Sequence, residues 1–374
     1  MKRTILIILL ASLVFTWAGC SDNKESNRQG VPADSLGTQT ADTLAAKWPA
    51  KDWSTSTPGK QGLDEQQFTR VNTRIKENYP NVYSLLVIRN GFLVFEKYYN
   101  GAEENSYNPV YSVTKSVMSA LTGIAIREKL ISGTEQKAAE LIHEYFDSID
   151  NLKKKDITIE NVLTMTGGLE SIDNNYNGYF SSSDWLRYAL NKPLTDELGS
   201  KFVYNTGLTH ILSGIIAERS NQNTKDFADK YLFEPLNIEV KRWDRDPSGC
   251  YGGGTGLYLT ARDMAKYGNL YLNKGNWDGR QLIPEEWVAA SSTKKVEVDK
   301  GVDYGYLFWI SDMENKTTEK TYNTYRADGA GGQKIVVIPE TNMVIVVTAN
   351  INARSKDGAD TQRLVEDYVI PAIK

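Results

Sequence analysis

A serine and a lysine three residues apart can share a proton when they open a helix. Ser112 and Lys115, in Tyr111-Ser112-Val113-Thr114-Lys115, form such a pair. At this spacing both side chains lie on one helix face. A lysine kept neutral by burial can take the hydroxyl proton and turn the serine into a nucleophile. At a helix N-terminus the peptide dipole favours negative charge, and the serine amide can donate to an oxyanion. The chemistry is acyl transfer through a covalent serine ester. The spacing alone is common, because Ser-x-x-Lys starts at Ser21, Ser112, Ser291 and Ser292. Ser21 lies in a polar stretch, and Ser291 and Ser292 lie in a Ser-Ser-Thr-Lys-Lys run. Only Ser112 follows a β-rich segment and opens an apolar run, with Val113, Val117, Ala120, Leu121 and Ile124 at helical spacing. The competing role for Ser112 is a plain helix cap.

Other chemistries fit less well. A Ser-His-Asp triad would have to use His143 or His210, and no Gly-x-Ser-x-Gly elbow occurs. His210 sits in an apolar helix-like run and reads as a hydrogen-bonded structural histidine. Two histidines are too few for a His-rich metal site, so no metal or organic cofactor is expected. The glycines at Gly252-Gly253-Gly254 and Gly256 match neither phosphate-binding pattern and read as a tight turn. Net charge is −4 with no long basic run, so nucleic-acid binding has no electrostatic support.

The elements that must hold Ser112 form two β-rich ends around a helical middle. An amphipathic helix is expected over Leu63–Ile75, with Phe68, Val71 and Ile75 on one face. Asn90-Gly91 between the runs Val82–Ile88 and Phe92–Phe95 marks a β-hairpin. A second β-rich block covers Tyr304–Ile310, Lys334–Ile338 and Met343–Thr348, before a last helix over about 360–370. The expected fold is α+β. One antiparallel sheet, built from both ends of the chain, is flanked by helices and carries a mostly helical insertion at about 130–285. The folded domain is expected over 53–374.

The N-terminus reads as an export signal over 1–19. Lys2 and Arg3 precede an apolar stretch, Ile5–Phe15, that is too short to span a bilayer. Trp17-Ala18-Gly19-Cys20 resembles a bacterial lipoprotein processing site, so Cys20 is the expected lipidation position. Residues 20–52 read as a polar tether. The expected location is the cell envelope, with membrane contact only through lipid on Cys20. Cys250 then has no intrachain partner.

Further segments follow Ser112 in a fixed order. They are Val162-Leu163-Thr164-Met165-Thr166-Gly167-Gly168-Leu169, Phe202-Val203-Tyr204-Asn205-Thr206-Gly207, Gly252–Ala265, and Gly329-Ala330-Gly331-Gly332-Gln333. This ordered set resembles the serine β-lactamase family, in its class C, DD-peptidase, carboxylesterase and 6-aminohexanoate-dimer hydrolase branch. The resemblance runs from about residue 53 to the C-terminus. It implies the β-lactamase/transpeptidase-like fold, with Ser112 as nucleophile, Lys115 as its paired lysine and Tyr204 as a partner in acid–base work. A tyrosine can do this if nearby cations lower its pKa. The Ser112 and Gln333 amides are the implied oxyanion donors.

Two departures narrow the substrate. The family's second motif reads Tyr-x-Asn, whereas here it is Tyr204-Asn205-Thr206, so either Asn205 or Thr206 could meet substrate. The third motif, usually Lys-Thr-Gly or His-x-Gly, appears as Ala330-Gly331-Gly332 and lacks a cation for a substrate carboxylate. Gly331 and Gly332 would allow close backbone approach to a ligand. Tyr176 and Trp185, with Tyr179, are further candidates for the cleft wall. The expected activity is hydrolysis of a small ester or amide. The rivals are a β-lactamase or DD-peptidase and a catalytically inactive envelope binding module.

Overall fold

The computed structural model describes Trp48, residues 52–356, Gly358 and residues 360–374. The expected signal peptide, Cys20 and nearly all of the tether lie outside the described residues.

The fold is α+β. Eight strands form one sheet in the order Phe92–Tyr98, Val82–Arg89, Met343–Ala349, Gln333–Ile338, Lys320–Gly329, Trp309–Asn315, Val302–Tyr304, Val296–Asp299. Every neighbouring pair is antiparallel. The two chain ends meet where Val82–Arg89 pairs with Met343–Ala349. The Asn90-Gly91 turn closes the first hairpin, with φ of 51° and 75°. Both residues are left-handed, as a turn matching strand twist requires.

Side chains alternate across the central strands, so the sheet buries both faces. Leu85, Val87, Val336, Ile338, Ile345 and Val347 pack under the Glu65–Asn78 helix and the C-terminal helical turns. That helix uses Phe68, Val71 and Ile75, the face its periodicity predicts. Leu86, Ile88, Ile335, Val337, Val344 and Val346 face the larger core under the Val113–Arg127 and Ala261–Leu272 helices.

The expected strand over Tyr304–Ile310 is a correction. The chain leaves the sheet at Gly305 and re-enters at Trp309. Tyr306, Leu307 and Phe308 turn inward and are buried. Leu307 has a φ of 62°; its amide donates to Leu163 O, and its carbonyl accepts from Ser116 Oγ at 2.7 Å. The apolar run is thus a plug between sheet and helices, which periodicity cannot tell from a strand.

The segment before Ser112 is held at both sides. Asn108–Pro109 pairs with Tyr258–Leu259, and the Val110 amide donates to Leu257 O. Tyr111 then adopts a φ of 49°, unusual for a bulky residue, and turns the chain into the helix.

Candidate active site

Ser112 precedes the first turn of the Val113–Arg127 helix, but its hydroxyl does not cap it. Lys115 Nζ lies 3.0 Å from Ser112 Oγ instead. The plain-cap role is therefore set aside by geometry. Thr114 Oγ1 satisfies the turn by donating to Tyr111 O at 2.6 Å. The Ser112 amide has no backbone acceptor among the described residues, which leaves it available to a ligand.

Lys115 is 1% exposed. Its amine also reaches Thr206 Oγ1 at 3.0 Å and Gly254 O at 2.8 Å. Burial brings its pKa down from 10.5 to about 7, against an opposing pull from Asp173. A large fraction of Lys115 is therefore neutral at neutral pH.

Tyr204 enters from the extended segment just before the Thr206–Ser220 helix. Its ring centroid is 4.9 Å from Lys115 Nζ and stacks at 5.7 Å on Trp309. Its phenol interacts with the Ser112 side chain. Burial pushes the phenol pKa well up, and the Ser112 contact only partly offsets this. The expectation of a phenol lowered by cations is thus corrected. The cation at its ring is Lys115, whose burial favours the neutral form.

Asn205 and Thr206 make different contacts. Asn205 is buried; its Oδ1 caps the helix by accepting the Gly207 amide at 2.9 Å. Its Nδ2 donates to the carbonyls of Leu169 and Glu170. Thr206 is the residue at Lys115, and its own amide donates to Asp173 Oδ1 at 3.0 Å. Ser171 Oγ donates to Tyr204 O at 2.7 Å, so residues 169–173 bind the whole motif in place.

The glycines of the third motif meet different neighbours. A Cβ on Gly331 would meet Ile351, and one on Gly332 would meet Thr361, neither of which belongs to the Ser112 cluster. The Gln333 side chain is buried and committed to both backbone groups of Ala349. The glycine of this segment that abuts the chain just before Ser112 is Gly329, where a Cβ would lie 2.3 Å from Val110 O. Its neighbour Asp328 is close enough to act electrostatically on Tyr204. Asp328 accepts from Arg326 Nε and Lys334 Nζ, each at 2.9 Å. The two cations near the motif are therefore both held by one carboxylate.

Tyr176 is half exposed and interacts with Thr206 and Asp173, which places it at the rim. Trp185 is not at the cleft. It is buried among Tyr179, Phe180 and His210. Sequence reasoning missed Gly254, Asp173, Trp309 and Asp328. The glycine run was the one visible signal: its carbonyl approaches the lysine because Gly253 and Gly254 lie flush against Thr206–His210. A cavity of about 720 Å³, lined by Asp52, Glu104, Arg262 and Lys266 among others, includes none of the Ser112 cluster.

The family model described as Beta-lactamase matches residues 74–370. The chain belongs to the beta-lactamase family. Among this family's curated relatives, a 6-aminohexanoate-dimer hydrolase of Paenarthrobacter ureafaciens is 22% identical over 292 residues, 74% of each chain. An uncharacterised protein of Alkalihalophilus pseudofirmus is 24% identical over 289 residues, 71% of this chain and 83% of that one. Among solved structures, a Bacillus anthracis protein provisionally described as a 6-aminohexanoate-dimer hydrolase has a TM-score of 0.69 at 20% identity, covering 87% of this chain and 88% of its own. EstCE1, a hydrolase with promiscuous acyltransferase activity, has a TM-score of 0.67 at 15% identity, covering 82% and 97%. At these identities the structures show the shared fold of the beta-lactamase family.

Proposed function

We propose that this protein is a serine hydrolase that cleaves small esters or amides through an acyl-Ser112 intermediate. The observation that carries the reading is the pairing of an uncapped Ser112 hydroxyl with a buried, readily neutral Lys115 at 3.0 Å. Lys115 takes the serine proton as Oγ attacks the substrate carbonyl. The resulting ammonium returns that proton to the leaving group. Tyr204, held protonated by burial, donates a hydrogen bond on the leaving-group side. Water then attacks the acyl-enzyme carbonyl as Lys115 accepts its proton; the bond to Ser112 Oγ breaks, the Lys115 ammonium returns the proton to Oγ, and the acid leaves.

The oxyanion lies on the Ser112 amide. Its second donor is the amide of Ala330 rather than of Gln333, because Gly329 is the residue that abuts Val110. The substrate carries no carboxylate beside the scissile bond. Asp173 and Asp328 both act electrostatically on Tyr204, and Arg326 and Lys334 are spent on Asp328. Penicillins and peptidoglycan stems present a carboxylate, so they are poor substrates. The names of the 6-aminohexanoate-dimer hydrolase relative and of the EstCE1 hydrolase agree with this substrate class.

We also propose export to the cell envelope with lipid on Cys20, on the strength of Lys2–Cys20. Metabolic labelling with a lipid analogue that survives Cys20→Ala would overturn this.

The decisive experiment is a panel of neutral esters, amides and a fluorescent penicillin on a fragment starting near residue 51, with a fluorophosphonate as active-site label. Ester or amide turnover, and labelling lost in Ser112→Ala, are the expected results. Undiminished labelling of Ser112→Ala would sink the assignment. Rapid penicillin acylation would transfer the protein to the β-lactamase or DD-peptidase reading. Absence of any turnover or labelling would favour the inactive binding module.

A further inference from the structure

One buried titratable pair has no part in the chemistry above. His210 and Asp246 have fully buried side chains, with Nε2 3.5 Å from Asp246 Oδ2. Asp246 also accepts from Ser248 Oγ at 2.7 Å, the Cys250 amide at 2.8 Å and the Trp185 amide at 3.1 Å. The rings of Tyr179 and Trp185 lie against the imidazole, with centroids at 6.3 and 5.7 Å, and the Cys250 thiol lies beside it. His210 Nδ1 accepts the Gly253 amide at 3.2 Å. Burial lowers the His210 pKa, but Cys250 and Asp246 outweigh it and raise it to about 9. In the neutral imidazole, the form that accepts the Gly253 amide at Nδ1, the proton sits on Nε2, facing the carboxylate. His210 is thus oriented as a fixed acceptor toward the backbone, not as a base toward a hydroxyl.

The segment it grips leads to Lys115. Gly253 and Gly254 have no side chains to anchor them and lie against the start of the Thr206–Ser220 helix. The next carbonyl, Gly254 O, meets Lys115 Nζ at 2.8 Å. A neutral amine has two hydrogens and one lone pair. Gly254 O can only accept, so it takes one hydrogen. Thr206 Oγ1 takes the other at 3.0 Å, and the lone pair is left for Ser112 Oγ.

We infer that His210, braced by Asp246, is a positioning residue for the hydrolysis: it fixes the Gly253 amide, and thereby the Gly254 carbonyl that aims Lys115 at Ser112. The inference rests on Lys115 being the base. It gives the histidine a task that a merely space-filling core residue would not have.

The test is a direct titration of Lys115 by NMR with [13Cε]-lysine in the folded domain, assigned by loss of the signal in Lys115→Arg. Besides Gly254 and Thr206, the groups facing this amine are Ser112, Tyr204 and Asp173. His210→Phe keeps a ring of similar volume and removes the acceptor. The Gly254 carbonyl then drifts, the ammonium loses an acceptor, and the Lys115 midpoint falls by about half a unit or more. kcat on a neutral ester falls about tenfold with little change in KM. His210→Gln, whose amide oxygen can accept from Gly253, restores most of both. If His210→Phe does not fold, Asp246→Asn is expected to give a smaller change in the same direction.

An unmoved midpoint and kcat in a folded His210→Phe or Asp246→Asn variant overturn the inference and leave Lys115 as base. A wild-type Lys115 that titrates like an ordinary lysine overturns both.

Discussion

Lys115 Nζ and Ser112 Oγ stand 3.0 Å apart, and the serine hydroxyl makes no cap to the helix it opens. A serine at a helix start ordinarily spends its oxygen on a backbone amide. Here the Val113, Thr114 and Lys115 amides donate to the carbonyls of Val110, Tyr111 and Ser112, and the Ser112 hydroxyl is left free to react. Ser112→Ala is expected to lower ester kcat/KM by about a thousandfold or more, with the melting temperature nearly unchanged. A loss of less than about tenfold would place the nucleophile elsewhere.

The pH dependence follows from the same pair. The base form of Lys115 is the amine, and its pKa is brought down to about 7. kcat/KM should therefore rise with pH through a limb near 7 and be lost below it. Lys115→Arg replaces the amine with a group that stays charged, so it should remove both the limb and most of the rate. An acid limb near 4 to 5 would point to a carboxylate base instead.

Thr206 and Asn205 should separate cleanly. Thr206→Val removes the oxygen 3.0 Å from Lys115 Nζ and should cost about tenfold in kcat/KM. Asn205→Ala removes a buried helix cap and should cost about 1–2 kcal/mol of stability. The folded fraction should keep its KM. A raised KM in Asn205→Ala with unchanged stability would return that residue to the substrate.

Charge at the third motif is expected to set substrate preference. Asp328 occupies Arg326 and Lys334. Asp328→Asn frees both cations, so an ester with a carboxylate on its acyl side should gain about five- to tenfold in kcat/KM relative to a neutral ester. Equal effects on both esters would show that these charges do not reach the substrate.

Asp246 supplies a stability signature at acid pH. Burial alone would raise its pKa, but bonds from His210, Ser248 and the amides of Cys250 and Trp185 outweigh it and bring it down from 3.8 to about 2. A carboxyl depressed in the folded state contributes stability above its unfolded pKa and loses it as pH falls. Asp246 should therefore contribute about 2 kcal/mol above pH 4, lost between about pH 4 and 2. Denaturant melts of Asp246→Asn should lack that loss. An unchanged acid profile would remove Asp246 as its source.

Much of this was legible in the sequence because it is local. The apolar runs beside Asn90-Gly91 and Asn342 mark strands, and the structure buries them on both faces. The Ser112 helix shows in its apolar spacing, and Tyr204 shows in the ordered company of its motif. Three matters were decided by the tertiary structure. Thr206 rather than Asn205 meets Lys115, since which of two adjacent side chains faces inward depends on the loop at residues 169–173. Gly329 rather than Gly331 or Gly332 abuts the segment before Ser112, since three glycines in one turn look alike until Val110 lies against one of them. The low pKa of Lys115 and the high one of Tyr204 exist only once helix, sheet and glycine segment exclude water. Residue types and spacing determine which groups are present and which share a helix face. Desolvation and hydrogen-bond direction are sums over residues distant in the chain, so the fold alone decides which of those groups holds the proton.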